Sequence, residues 1–483
     1  MKGQYFDQKV LLLLPNSWES GKRRWTAIPH ASLILTALLK NEFNFSILDA
    51  FGLDLGEDQC KSVLMDINPS IVLVSALSVE YWERYHKAVA VAKSACPEAV
   101  TVVGGVYPTV IGDHVIKDNN VDYIFVGHAE ERVNHFLRLI LDGDHESVRA
   151  LPGIGFRNQD GAIVINPVST YIGDVKRLTD PDYSLLDLSP YLERGIKEYQ
   201  FNSENVSTDI ITSYGCPYNC LFCATRTISG RRIAYRSAES VLQEIDFLIR
   251  KYGIRELTFL DDHFVGEPRR IQLILNGLVE RNYDLTWKCA QIALWSLDDK
   301  LLELMKLSGC SQLSFSVESG SPRVLKDIIR KPLKLTMVPP IVKKCKELGI
   351  DLGANFVIGL PGETWDEIRE TFRFAEECDF DLVHFHIATP QPATDLYKIC
   401  KEKGYLPNDF SFFDPKFFGF GKGFIQTQEF TPFELEVLRA FEWDRINFNR
   451  PDKIFKIARL YKLSLEELND HRKQTRLKLG IHF

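Results

Sequence analysis

No run of apolar residues in this sequence is long enough to cross a membrane; Val10-Leu11-Leu12-Leu13-Leu14 is short, ends in Pro15 and reads as a buried strand. No secretory leader opens it, so a cytoplasmic, thiol-reducing setting is expected, and metal ligation ranks above disulfides for its 10 cysteines. An excess of basic charge is missing too. With 58 Lys and Arg against 65 Asp and Glu, a formal charge of -7, nothing marks a nucleic-acid binder. The one basic stretch, His471 to Lys478, reads as a solvated terminal helix. No Gly-x-Gly-x-x-Gly follows the first strand and no P-loop occurs, which argues against the common nucleotide-binding frames. Low-complexity tracts are absent.

What is present is a long alternation of short apolar runs and amphipathic stretches. At 483 residues the chain exceeds one ordinary core, so two or three domains are expected. Over residues 1–150 the strand candidates are Lys9–Pro15, Asn44–Asp49, Ser70–Leu77, Ala99–Gly104 and Asp122–Val126, with helices over Pro29–Lys40, Glu57–Ile67, Glu80–Ser94 and roughly Thr109–Lys117. Their continuous Val/Ile/Leu runs predict an α/β, doubly wound parallel sheet covered on both faces, with its ligand at the carboxyl ends of the strands. Residues 151–205, rich in proline, read as a connector. Six further βα units over 206–400, with strands near 209–215, 256–261, 286–292, 312–318, 354–359 and 382–388, predict a partial (β/α)6 barrel. The region 401–483 is small and mostly helical; its Phe-rich piece, 410–420, reads either as a substrate lid or as packing of that helical layer.

Three cysteines stand within eight positions in Ser213-Tyr-Gly-Cys216-Pro-Tyr-Asn-Cys220-Leu-Phe-Cys223, and no fourth joins them. A structural zinc site wants four ligands, usually as two separated pairs, and no second pair of that spacing lies nearby. A [4Fe–4S] cube is held by cysteine thiolates, so three ligands leave one iron open to a substrate or cofactor. Ile210-Ile211-Thr212 precedes the loop as a strand, which puts the thiols at the barrel mouth. There Gly215 and Pro217 turn the backbone, and Phe222 shields the loop from water.

This Cys-x3-Cys-x2-Cys spacing, with an aromatic residue before the last cysteine, resembles the signature of the radical S-adenosylmethionine (SAM) enzymes. The resemblance implies that Cys216, Cys220 and Cys223 hold a [4Fe–4S] cluster whose open iron binds SAM, that reductive cleavage gives a 5′-deoxyadenosyl radical, and that flavodoxin or ferredoxin is the electron donor. Leu260-Asp261-Asp262-His263-Phe264 stands where the family contacts the SAM amino group, replacing the usual Gly-Gly-Glu with a form that resembles the cobalamin-binding branch; Asp261 or Asp262 is the candidate. Strand alternation puts Ser314, Ser316 and Glu318 on one face, opposite Leu313, Phe315 and Val317, and the family pattern gives Glu318 to the ribose. Gly359, in Val357-Ile-Gly-Leu-Pro-Gly-Glu-Thr364, falls in the adenine motif, and Pro390 in the stretch that closes the site. The likeness covers about 206–400.

Ahead of such a barrel, Val102-Val-Gly-Gly-Val-Tyr-Pro-Thr109 and Tyr123-Ile-Phe-Val-Gly-His-Ala-Glu-Glu131 resemble segments of the cobalamin-binding domains fused to radical SAM enzymes. On that resemblance Gly104, Gly105 and Gly127 allow close approach of a corrin, and Ser75, Ser78 and Thr109 would hydrogen-bond its arms or nucleotide tail. The usual Asp-x-His-x-x-Gly is missing: Asn16-Ser-Trp-Glu-Ser-Gly21 occupies its loop, and Trp18 falls where the cobalt-ligating His would be. The whole resembles the cobalamin-dependent radical SAM methyltransferases. It implies transfer of a methyl group from methylcobalamin to an unactivated carbon after hydrogen abstraction, with a peptide or protein side chain as one candidate substrate. Asp262, His384 and His386 are the catalytic candidates; the two histidines share a face of the sixth barrel strand, and a structural role for the pair is the competing reading. The rivals are a cobalamin-dependent cyclase or rearrangement enzyme, methylthio transfer, and a non-catalytic cobalamin or Fe–S scaffold. Cys60 and Cys96 are too few for the second cluster that methylthio transfer needs.

Overall fold

Val10 to Leu14, all at most 5% exposed, form the strand β1 (Lys9–Leu14) of a sheet whose central members are apolar on both faces. The computed structural model describes residues 4–17, 27–175, 178–194, 205–419, 421–461 and 463–477. Contacts divide the chain into two units. The first comprises Met1–Arg194, Tyr214–Cys216 and Thr225–Arg236; the second Gly195–Ser213, Pro217–Ala224 and Ser237–Phe483.

In the first unit β1 is flanked by β2 (Asn44–Asp49) and β3 (Ile71–Ser75), followed by β4 (Val100–Gly104) and β5 (Tyr123–Phe125), all parallel, in the order β2-β1-β3-β4-β5. The chain reverses its direction of growth between β1 and β3, the switch point at which such sheets open a crevice. Two strands from the stretch read as a connector extend the sheet antiparallel: β6 (Ile154–Arg157) on β5 and β7 (Ile163–Ile165) on β6. The sheet is therefore mixed. Helices His30–Leu39, Glu57–Ile67 and Trp82–Ala95 lie close to their expected bounds. The expected Thr109–Lys117 helix is two short ones, Val106–Val110 and Gly112–Ile116, broken at Ile111 (φ -140°). The break seats Gly112 where a Cβ would stand 2.8 Å from the side chain of Ile124.

In the second unit six parallel strands follow one another in chain order: Ser207–Ile210, Glu256–Phe259, Thr286–Ile292, Cys310–Glu318, Asp351–Ile358 and Leu382–Ile387. They are the first to sixth barrel strands. Intervening helices such as Ala238–Tyr252 and Trp365–Glu377 begin at capping side chains: Ser237 accepts from Ser240 N, and Thr364 forms a capping box with Glu367. Phe259, Trp287, Phe315, Phe356 and Phe385 fill the core, each fully buried. This is a partial (β/α)6 barrel, followed by helices Pro432–Asn447, Pro451–Tyr461 and Leu465–Leu477. Asn447, fully buried, pairs with the outer edge of the sixth strand: its side chain accepts from Val383 N and donates to Val383 O, each at 2.8 Å. Arg439 Nε donates to Phe385 O at 2.7 Å.

Phe410, Phe412 and Phe417 of the Phe-rich segment pack on one another, on Phe424 beyond it and on Tyr397, with ring centroids 4.8 to 6.1 Å apart and Phe417 buried. Among the described residues no helix is long and apolar enough to cross a membrane.

Candidate functional site

Past the first barrel strand the chain turns through Thr212 and Ser213, and the carboxylate of Asp261 holds that turn. It accepts from Thr212 N at 3.2 Å, Thr212 Oγ1 at 2.6 Å and Ser213 Oγ at 2.5 Å. Asp261 is 3% exposed, and burial raises its pKa despite these donors. Its neighbour Asp262 is exposed. The two aspartates therefore divide: Asp261 is spent on the backbone that leads to the cysteines, and Asp262 faces outward.

Gly215 then turns the chain with φ +94°, where a Cβ would stand 2.4 Å from the carbonyl of Arg232, so no side chain fits ahead of Cys216. The loop is pinned at Leu221, whose N–H donates to Ile329 O at 3.1 Å and whose carbonyl accepts from Leu396 N at 3.0 Å. Cys216 and Cys220 are half-buried and Cys223 is exposed; the other seven cysteines are buried, and no cysteine forms a disulfide. Burial pushes Cys345, Cys378 and Cys400 up to about 12. Among the described residues no three Cys, His, Asp or Glu side chains converge as they would on a single ion.

Alternation along the fourth strand holds through Val317 and fails at Glu318. The register against the fifth strand shifts between Ser316 and Glu318, and Glu318 takes φ +74°, left-handed for a residue other than glycine. Its buried carboxylate meets Lys331 Nζ at 2.9 Å. Lys331 also stands 5.4 Å over the ring of Trp295, whose Nε1 donates to Tyr218 Oη at 2.8 Å. On the fifth strand's turn, Gly359 N and Leu360 N donate to Glu363 Oε2 at 2.7 and 3.0 Å, and burial lifts Glu363 to about 8. Pro390 is buried in the turn after the sixth strand.

His384 and His386 stack with ring centroids 6.2 Å apart. His386 Nε2 lies 3.2 Å from Asn355 Oδ1, and Asn355 Nδ2 donates to Ser314 Oγ at 3.1 Å, which makes a polar row across three strands. Burial lowers His384 to about 4 and His386 to about 3, with the charge of Arg439 adding to both.

The first unit holds a separate cleft of about 210 Å³ at the carboxyl ends of β1, β3, β4 and β5. Its walls are apolar, including Leu12, Ile34, Val102, Phe125 and Ile228, and Ser75, Gly104, Gly105, Thr109 and Gly127 line it as well. Gly105 has φ +114°, and a Cβ there would stand 2.5 Å from Ala76 O. Thr109 clamps the two strand tips: its hydroxyl donates to Gly105 O at 2.6 Å and accepts from Gly127 N at 2.8 Å, so one lone pair is all it offers a ligand. Ser78 is not among the lining residues; its hydroxyl caps the turn at Glu80. Trp18 lies outside the described residues.

Five residues at these sites were given no role from the sequence. Lys331 and Trp295 lie in no motif, and Tyr218 lies inside the cysteine segment. His128 and Glu130 also line the cleft, with His128 Nε2 3.1 Å from Ser229 Oγ and Nδ1 3.4 Å from Glu130 Oε1. Their signal was the polar strand end Gly127-His-Ala-Glu130.

Residues 210–375 match the family model of the Radical SAM superfamily. The chain is 27% identical over 447 residues to cytidylyl-2-hydroxyethylphosphonate methyltransferase of Streptomyces wedmorensis, with 83% of each chain covered. It is 28% identical over 393 residues to an uncharacterized methyltransferase of Pyrococcus horikoshii, covering 81% of this chain and 82% of that one. Among solved structures, the radical SAM methyltransferase TsrM of Kitasatospora setae, with cobalamin and a [4Fe–4S] cluster bound, superposes with a TM-score of 0.69 at 18% identity, over 82% of this chain and 78% of that one. The cobalamin-dependent SAM radical enzyme OxsB, with aqua-cobalamin and SAM bound, gives 0.72 at 16% identity, over 97% and 72%. At these identities the likeness to the solved structures is one of fold.

Proposed function

We propose that this chain, whose residues 210–375 match the Radical SAM superfamily model and whose fold is that of cobalamin-dependent radical SAM enzymes, is a cobalamin-dependent radical SAM C-methyltransferase. The observation that carries the reading is the selective accessibility of Cys216, Cys220 and Cys223, in a loop pinned at the barrel mouth, while seven other thiols are buried. A [4Fe–4S] cube suits this donor set, since each thiolate binds its own iron and the three sulfurs need not converge on one ion. When bound, the cluster with SAM supplies a 5′-deoxyadenosyl radical for hydrogen abstraction, and methylcobalamin supplies the methyl group.

The chain's own residues supply binding and orientation. Asp261 fixes the approach to the cysteine loop, and Asp262 is the proposed partner of the SAM amine. Glu318 serves the ribose, and Lys331 beside it offers the SAM carboxylate a cation. Gly359, held by Glu363, and Pro390 border the adenine. Gly104, Gly105 and Gly127 would let a corrinoid approach the backbone at the cleft, whose apolar walls would hold its apolar parts. His384 and His386, neutral at physiological pH, offer the substrate hydrogen bonds without charge.

Anaerobic reconstitution tests the reading. Iron should approach about four per chain, as one cubane requires, and a corrinoid should co-purify. Reduced with flavodoxin or ferredoxin, the enzyme should form both S-adenosylhomocysteine and 5′-deoxyadenosine, with a product heavier by about 14 daltons, one CH2. Absence of S-adenosylhomocysteine would favour a cyclase or rearrangement enzyme; the anaerobic magnesium-protoporphyrin IX monomethyl ester cyclase of Rubrivivax gelatinosus, 25% identical over 359 residues, is a relative of that kind. The acceptor, a peptide or protein side chain or a small molecule, is read from which product gains the mass.

A further inference from the structure

Tyr218 sits between Cys216 and Cys220, yet its side chain is held from elsewhere in the second unit. Trp295, in the turn Leu294–Ser296 after the third barrel strand, donates its indole N–H to Tyr218 Oη at 2.8 Å, and the two rings meet edge to face, 5.1 Å apart at 88°. His263, 5% exposed, packs against both rings, 5.5 Å from Tyr218 and 6.4 Å from Trp295. The opposite partner of Trp295 is the ammonium of Lys331, 5.4 Å from the ring centroid and bonded to Glu318. One side chain thus touches both the cysteine loop and the buried ion pair.

We infer that Trp295 is a positioning residue that couples whatever ligand engages Glu318 and Lys331 to the conformation of the cysteine loop. The inference rests on the proposed function, in which that ligand is SAM and the loop holds the cluster. An anionic group arriving at Lys331 redistributes its ammonium between Glu318, the newcomer and the indole face. A cation over an indole is attracted to it, so the ring follows the ammonium. The indole N–H carries that displacement to Tyr218, two residues from each flanking cysteine. Coupling of this kind is reciprocal: if an ordered loop favours the ligand, the ligand holds the loop, and its cluster, by the same factor.

Reciprocity gives the test. In the reconstituted full-length protein, the rate of iron loss to a ferrous chelator is measured with and without SAM, for wild type, Trp295→Phe, Tyr218→Phe and the double variant. Wild type should lose iron about fivefold more slowly with SAM present, the scale of one hydrogen bond. Each single variant should lose most of that protection, and the double variant should be no worse than either, since both sit on one link. Melting temperatures of the unreconstituted proteins separate coupling from folding damage, and Tyr218→Phe, which removes only a hydroxyl, serves should Trp295→Phe misfold. Full SAM protection in both single variants overturns the inference and leaves the proposed function standing. A wild-type protein that takes up no iron overturns both.

Discussion

Lys331 reaches back to Glu318 with its ammonium 2.9 Å from Oε1, and their side chains are only 6% and 10% exposed. A left-handed glutamate buried beside a lysine is a costly arrangement, kept in place by its surroundings. Removing one partner leaves the other charge buried and alone. Lys331→Met should therefore destabilise the protein by about 3–5 kcal/mol, whereas pairing it with Glu318→Leu should recover most of the loss. Urea unfolding midpoints of the two variants decide this.

The two aspartates of the second barrel strand's tip should separate cleanly. Asp261→Ala strips three donors of their acceptor around Thr212 and Ser213, so iron uptake and melting temperature should fall together. Asp262→Ala, at an exposed position, should leave both unchanged and raise the dissociation constant for SAM. Iron assay, thermal melts and SAM binding on the same preparations check the division.

A pH dependence follows from the paired histidines. Both have folded pKa values below the ordinary imidazole value of 6.5, at about 4 for His384 and about 3 for His386. The unfolded chain then binds more protons than the folded one at acid pH. Their stabilisation is fully present above 6.5 and lost as pH falls through about 4 and about 3. The melting temperature should decline as the buffer is taken from about pH 7 to about pH 5, and the decline should be shallower in His386→Gln.

Thiol labelling should count the cluster. Of 10 cysteines, seven are buried, so iodoacetamide on the native apoprotein should modify no more than Cys216, Cys220 and Cys223. Reconstitution should protect all three, and denaturation should expose every thiol. Intact-mass spectrometry reads the number, and labelling of Cys289 or Cys310 in the native protein would contradict it.

Much of this was legible in the sequence because it rests on local rules. Apolar runs such as Val10 to Leu14 and Ile71 to Val74 mark strands covered on both faces, and the cysteine spacing needs no tertiary contact to be seen. Reading failed where a contact depends on geometry between distant segments. Glu318 looked like a member of an alternating row, but a one-residue register shift and a positive φ take it out of that pattern. Its partner Lys331 arrives by way of the π-helical turn Val324–Ile329, which nothing in Arg330-Lys331-Pro332 announces. The strands β6 and β7, four and three residues long, are too short for periodicity to declare. Thr109, expected to hydrogen-bond a corrinoid, lines the cleft, and its hydroxyl is mostly used on the protein itself.

A strand at the margin of an open sheet carries unsatisfied amide groups that invite a neighbouring molecule to dock, and the sixth barrel strand is such a margin. Asn447 and Arg439 answer those groups with side chains drawn from a helix more than fifty residues downstream. The terminal helices thus act as a guard against self-association. A shortened chain ending soon after Pro390 would retain Cys216, Cys220 and Cys223 with Asp261, Asp262 and Glu318, and still emerge sticky, its last strand ready to template fibrous contacts.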